Sequence, residues 1–70
     1  MIPLRDDVTL GVQYLQAGQP DRAEKALRQA VRKDKRNARA WCILGLVCQA
    51  QGKNQEAVAH YIEASRLDRK

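Results

Sequence analysis

Apolar positions recur at helical spacing in four segments of the chain. In the second segment, for example, Ala23, Leu27 and Ala30 lie three or four positions apart, which places them on one face of a helix. Gly18 and Gly52 each follow a segment and suit the left-handed conformation found beyond helix ends. No segment alternates in the way that is typical of strands. We therefore predict helices at about residues 4–17, 20–34, 38–51 and 54–68.

Proline and asparagine mark three of the predicted helix starts. Pro20 suits a first helical turn, because the N–H that proline lacks would have no partner there. Asn37 and Asn54 stand at the starts of the third and fourth segments, and asparagine is a preferred N-cap residue. We therefore expect these two asparagines to cap the third and fourth helices.

The second half of the chain repeats the first half at an offset of 34 residues. A fixed period of this length is typical of a two-helix unit. The pattern predicts an all-α fold of two tandem helix-turn-helix hairpins, with four antiparallel helices in a short α-solenoid. We expect a single domain over residues 1–70, with one repeat at about 4–36 and the next at about 38–70. The identical pairs are Arg5 and Arg39, Leu10 and Leu44, Gly11 and Gly45, Gly18 and Gly52, Ala23 and Ala57, Ala30 and Ala64, Arg32 and Arg66, and Asp34 and Asp68.

Each copy resembles the tetratricopeptide repeat, whose pattern runs W-x2-L-G-x2-Y and then G, A, F/Y and A. The second copy matches at Trp41, Leu44, Gly45, Gly52, Ala57, Tyr61 and Ala64. The first copy matches at Leu10, Gly11, Tyr14, Gly18, Ala23, Leu27 and Ala30. Departures from the pattern are Asp7 for Trp, Cys48 for Tyr, and Lys35 and Arg69 for Pro. The resemblance implies a non-enzymatic scaffold that binds a protein or peptide.

The small residues that match the family pattern serve helix packing and have no reactive groups. Gly11 and Gly45 have no Cβ and Ala57 has only a methyl group, so the two helices of a hairpin can approach closely. A large side chain at Gly45 or Ala57 is expected to overpack its hairpin.

The resemblance also implies a concave groove lined by the first helix of each pair. Family members that clamp a peptide carboxylate use Lys and Asn at some lining positions, where this chain has apolar residues and a cysteine, so we expect no such clamp. An apolar floor with arginines at one rim suits an amphipathic helix or an extended apolar segment with an acidic flank. The alternative is that these side chains only pack against one another. The lining positions are Arg5, Val8, Val12, Leu15, Arg39, Cys42, Leu46 and Gln49.

Two apolar features predict self-association. Residues 40–48 run without a polar side chain, and a helix that is apolar all round is buried all round. Val58 and Ile62 lie on the side that a following repeat would occupy, where the first copy has Glu24 and Arg28. Stacked repeats normally number three or more, so we expect a homodimer or higher oligomer. Excision from a longer array would leave the same apolar edge.

Charge provides the rival hypothesis, an electrostatic binder of a polyanion. The net charge is +5, and it is concentrated between residues 22 and 39. Such a stripe attracts acidic proteins, anionic lipid or nucleic acid, although the stretch lacks the interleaved aromatic residues that stack on bases. A solvated convex face is the simpler interpretation. The predicted basic patch comprises Arg28, Arg32, Lys33, Lys35 and Arg36.

The cysteines and the single histidine do not indicate chemistry. Cys42 and Cys48 are six positions apart, about 9 Å along one helix and on different faces, so they cannot form a disulfide. Free thiols favour a reducing compartment, and we expect the cytoplasm. A Cys48–His60 pair lacks an orienting group, and His60 is expected to face solvent. We expect no enzyme activity, no metal, no cofactor and no membrane span, because no motif or apolar stretch for them occurs.

Overall fold

The computed structural model describes residues 6–68. They form two helical hairpins, each of which packs a shorter first helix against a longer second helix. Helices α2 and α3 join the hairpins, and α1 also touches α3. The all-α prediction of two tandem hairpins is confirmed. The helices are α1 (Asp7–Gln16), α2 (Pro20–Lys33), α3 (Ala38–Ala50) and α4 (Asn54–Leu67).

Two side chains cap helix starts. The Oδ1 atom of Asp6 accepts a hydrogen bond from the Thr9 backbone N–H at 2.7 Å, which begins α1 at Asp7 rather than near residue 4. This hydrogen bond also lowers the pKa of Asp6. Asn37 accepts from the Ala40 N–H at 3.2 Å, so its predicted capping of α3 is confirmed. The capping predicted for Asn54 is wrong, because Asn54 is the first helical residue of α4.

Both hairpins turn through a glycine in the left-handed region. Gly18 has φ of 77° and Gly52 has φ of 81°, as the sequence predicted for residues that follow a helix. The same hydrogen bond closes each turn, from Gln19 N to the Tyr14 carbonyl at 2.9 Å and from Lys53 N to the Cys48 carbonyl at 2.8 Å. The 34-residue offset therefore reproduces the hydrogen bonding of the turn as well as its sequence.

The core lies around α3, which packs against both α2 and α4. The largest fully buried side chains are Leu27, Leu44, Val47 and Cys48. Most of the apolar run at 40–48 is buried as predicted, but Cys42 and Leu46 are exposed on the side that no other helix of residues 6–68 covers. One strip of α3 thus remains open after the hairpins have packed.

Glycine allows the helices of each hairpin to meet. A Cβ built on Gly11 would lie 2.6 Å from Cγ of Leu27, and one built on Gly45 would lie 2.8 Å from Cε1 of Tyr61. Distances this short force the neighbour to move, because carbon atoms pack at about 3.5–4.0 Å. The equivalent contacts place Leu27 and Tyr61 over the backbone of α1 and α3.

We predict that Gly45→Ala lowers the free energy of unfolding by about 1–3 kcal/mol, because the new methyl group overlaps the Tyr61 ring. By helix propensity alone, alanine would stabilise the helix by about 1 kcal/mol relative to glycine. A decrease in the free energy of unfolding would therefore show that the packing overlap outweighs helix propensity. Urea unfolding of Gly45→Ala, Tyr61→Leu and the double variant tests the pair. Additive losses would contradict the proposed contact, whereas a smaller cost of Gly45→Ala in the Tyr61→Leu background would support it.

Candidate protein-binding surfaces

The open strip of α3 carries the second half of the predicted groove. Arg39, Cys42, Leu46 and Gln49 follow one another at spacings of three or four residues and are all exposed. Leu46 is 46% exposed, which is high for a large apolar side chain in a helix flanked by packed neighbours. The Tyr61 hydroxyl donates to Oε1 of Gln49 at 2.9 Å and so holds one end of the strip against α4. The strip presents an apolar centre between a cation and an amide.

The α1 half of the predicted groove is less open. Val8 is buried in the core, while Val12 and Leu15 are half-buried and pack against that core. Arg5 lies outside the described residues. The accessible apolar surface of the predicted groove is therefore centred on Cys42 and Leu46 rather than spread evenly over both helices.

A second apolar surface lies on α4. Val58 is 55% exposed and Ile62 is 62% exposed, and their spacing of four places them on one face of the helix. We call these two residues the α4 edge. With Leu46, they are the exposed large apolar side chains of residues 6–68.

In the first repeat, the residues equivalent to the α4 edge contact the repeat that follows. Glu24 and Arg28 stand 34 residues before Val58 and Ile62. Glu24 accepts from Nε2 of Gln51 at 2.9 Å, and Arg28 lies 3.7 Å from the Glu56 carboxylate. In the first repeat these positions thus bind the second repeat through charge and amide groups. In the second repeat the same positions are apolar and exposed.

A basic cleft of about 660 Å³ lies between α2 and α4 on another side of the molecule. Its apolar floor includes Trp41 and Leu44, and its one acidic side chain, Glu63, is paired with Arg66 at 2.5 Å. Lys33, which the sequence placed in this patch, instead pairs with Asp7 of α1 at 3.0 Å. The cations that line the cleft are Arg28, Arg32, Lys35, Arg36 and Arg66.

Arg66 was not among the residues predicted for the basic patch, although the repeat indicates it. Arg66 is the repeat equivalent of Arg32, and both residues occupy the last turn of their helices. Because α2 and α4 hold equivalent places in successive hairpins, the two arginines line the same cleft. The 34-residue offset alone would have paired them.

A match to a family model defines the relationship of the chain to known proteins. The model describes the tetratricopeptide repeat and matches residues 8–69. The chain belongs to the tetratricopeptide repeat family. It is 38% identical over 60 residues to human tetratricopeptide repeat protein 7A, an alignment that covers 86% of the chain but 7% of that relative. The chain therefore corresponds to a small part of the length of that protein.

Tetratricopeptide repeats are generally protein–protein interaction modules, and the family is typically a non-enzymatic scaffold. The apolar strip of α3, the α4 edge and the basic cleft are the surfaces on which such binding can be considered. Within residues 6–68, no helix combines the length and the apolar character needed to cross a bilayer.

His60 does not face solvent, so the expectation from sequence is wrong. Its ring lies 5.6 Å from the Trp41 ring, centroid to centroid, and it is half-buried between α3 and α4. Within residues 6–68, its Nε2 atom is inaccessible and has no hydrogen-bond partner. Burial lowers the pKa of His60, and the nearby Arg28 lowers it further. The tight α3–α4 contact explains the burial, which helical periodicity did not reveal.

The two thiols have different surroundings. Both cysteines are free, with Cys42 exposed and Cys48 buried. Burial raises the pKa of the Cys48 thiol. The structure also brings ligand atoms of Cys48, Glu56 and His60 to within 4.8 Å of one another, a grouping that sequence spacing did not indicate.

We predict that Glu24→Gln lowers the free energy of unfolding by about 1–3 kcal/mol, because the hydrogen bond that Gln51 donates across the junction between the repeats loses its charge assistance and the ion pair with Arg28 within α2 is lost. The Gln51 amide, followed by Arg28, lowers the pKa of Glu24 below its usual 4.5. The folded chain therefore binds this proton less readily than the unfolded chain. The contribution is complete above pH 4.5 and is lost as pH falls through the lowered folded value.

Thermal unfolding at pH 7 and at successively lower pH tests the Glu24 prediction. The pH-dependent loss below about 4.5 should be smaller in Glu24→Gln than in the wild type. Glu63→Gln is the matched control, because Glu63 pairs with Arg66 within α4 and joins no other helix. Equal effects of Glu24→Gln and Glu63→Gln would contradict a junction role for Glu24.

Proposed function

We propose that this chain is a non-enzymatic interaction module that binds an apolar protein segment along the open strip of α3. The observation that carries the proposal is the exposure of Leu46 beside Cys42, on a helix whose other large aliphatic side chains, Ile43, Leu44 and Val47, are buried. Amphipathic helices bind such strips through apolar side chains at helical spacing. Arg39 at one end favours an acidic residue in the flank of the bound segment.

Burial of the strip would contribute a modest free energy of binding. Full burial of a leucine side chain contributes about 1.5–3 kcal/mol, and Leu46 has close to half of its surface left to bury. Cys42 adds a small apolar contact one turn away. Binding through these residues depends on shape and apolar contact, so added salt should affect it little.

A basic-cleft function is the second candidate, favoured by the cations that α2 and α4 direct into one cleft with an apolar floor. Its partner would be an acidic protein segment rather than nucleic acid, because the Trp41 ring in the cleft packs against His60 instead of standing free to stack on bases. Binding of this kind falls steeply with salt.

One experiment separates the two surfaces. Short amphipathic and acidic peptides are selected on the immobilised chain, and their affinities are measured between about 50 and 200 mM salt. We predict that Leu46→Asp weakens binding about 10-fold or more with little effect of salt, while Arg32→Glu with Arg36→Glu changes it little. Ala59→Asp places the same charge at another exposed position and is the control.

The opposite pattern would contradict the α3 proposal. If the Arg32→Glu and Arg36→Glu pair abolishes binding, and Leu46→Asp matches the Ala59→Asp control, then the basic cleft is the binding surface. Circular dichroism on each variant verifies that the helices are intact.

We further infer that two copies associate through the α4 edge. Val58 and Ile62 expose apolar surface at positions that bind a neighbouring repeat in the first copy. A symmetric contact between two chains would bury both faces at once. The free thiols of Cys42 and Cys48 favour a reducing compartment, which supports a cytoplasmic setting for such assemblies.

We predict that the chain is dimeric by light scattering at high micromolar concentration, and that Val58→Glu with Ile62→Glu makes it monomeric. Because these side chains are exposed, the double variant should keep its helical content. Gln55→Glu with Ala59→Glu adds the same charge to exposed positions of α4 and serves as the control. A monomeric wild type would contradict self-association and would favour a different protein as the partner of the α4 edge.

A further inference from the structure

Three side chains with metal-binding atoms converge where α3 packs on α4. Cys48 comes from the last part of α3, and Glu56 and His60 come from α4. Their ligand atoms all lie within 4.8 Å of one another. Glu56 and His60 are four positions apart, which places them on one face of the helix and directs both toward a common point.

The surroundings of these atoms favour a ligand. Within residues 6–68, the His60 Nε2 atom is enclosed and unpaired, which is costly for a polar atom. Cys48 is completely buried, whereas the Glu56 side chain is 51% exposed. A carboxylate at the surface beside an enclosed thiol and an imidazole leaves an entry route from solvent.

We propose that Cys48, Glu56 and His60 bind a divalent transition-metal ion of the zinc type. A thiolate, an imidazole and a carboxylate are the three kinds of side chain that zinc accepts. Three protein ligands leave a fourth position for water or for a group from a partner. The proposal is independent of the α3 strip and of the α4 edge, which use other residues.

The distances require only a local adjustment. Around a tetrahedral zinc ion with bonds of about 2.0–2.3 Å, ligand atoms stand about 3.5 Å apart. Separations of up to 4.8 Å therefore need side-chain movements of about 1 Å. Glu56 can move freely because it is exposed, and only Cys48 is held on all sides by the core.

Charge also balances in the bound state. Binding replaces the thiol proton, which leaves to solvent, so a thiolate and a carboxylate neutralise the two charges of the ion. Arg28 is the cation that opposes metal binding, since it lies 3.7 Å from Glu56. Its main partner is Glu24 at 2.6 Å, which would still neutralise it once Glu56 turned to the metal. Lys53 likewise lies 3.5 Å from Glu24.

Titration of the 70-residue chain with Co²⁺ under a non-thiol reductant tests this site. We expect one Co²⁺ per chain, a thiolate-to-metal charge-transfer band in the near ultraviolet, and loss of that band when Zn²⁺ is added. Cys48→Ala should abolish the band, and Cys42→Ala should leave it unchanged. Glu56→Gln should weaken Co²⁺ binding by more than about 10-fold, and Glu63→Gln should not.

Several outcomes would overturn the proposal. A wild-type chain without the charge-transfer band has no such site. A band that survives Cys48→Ala but disappears in Cys42→Ala, or one Co²⁺ per two chains, would show capture by the exposed thiol. Circular dichroism identifies variants that fail to fold. If Cys48→Ala fails, Glu56→Gln decides the question, because its side chain is exposed and its loss leaves the core intact.

Discussion

The close approach of the two helices in each hairpin is the constraint on which the rest of this structure depends. Gly11 and Gly45 leave no room for a Cβ, and Leu27 and Tyr61 occupy that space. Since α3 is held against α2 on one side and α4 on the other, its apolar run becomes the core of the molecule. The remaining strip, with Cys42 and Leu46, is what packing leaves available for a partner.

Equivalent positions in the two repeats have opposite surface character. In the first repeat, Glu24 accepts a hydrogen bond from Gln51 and Arg28 lies 3.7 Å from Glu56, so the junction between the repeats is polar. In the second repeat, Val58 and Ile62 present apolar side chains instead. A polar junction needs a matched partner, whereas an apolar edge accepts any surface of complementary shape. Two units of the same fold thereby differ in the kind of surface that they present at these positions.

The α3–α4 contact concentrates the unusual chemistry of the chain. Because the Tyr61 ring seats against Gly45, the neighbouring turn of α4 places His60 against Trp41 and near Cys48. The same contact closes one side of the basic cleft, to which His60 also contributes. The contact between Gly45 and Tyr61 has no reactive group of its own, yet it determines that His60 and Cys48 lie close together.

The sequence by itself determined the number of helices, the two glycine turns and most of the core. These features depend on local periodicity, on positive φ at Gly18 and Gly52, and on a sequence pattern that occurs in two copies. The resemblance to the tetratricopeptide repeat also implied a groove that included the strip of α3, and the distribution of charge indicated the basic character of α2. The start of α1 was harder to place, because the Asp6 cap competes with a longer apolar pattern.

Only the tertiary structure decided which side chains from different helices meet. It moved Val8 into the core, paired Lys33 with Asp7 away from the basic cleft, and brought Arg66 into that cleft. It also enclosed the His60 ring, which was expected to face solvent, and brought it near Cys48. Periodicity assigns a residue to a face of its own helix, but the rotation and crossing of neighbouring helices determine what that face contacts.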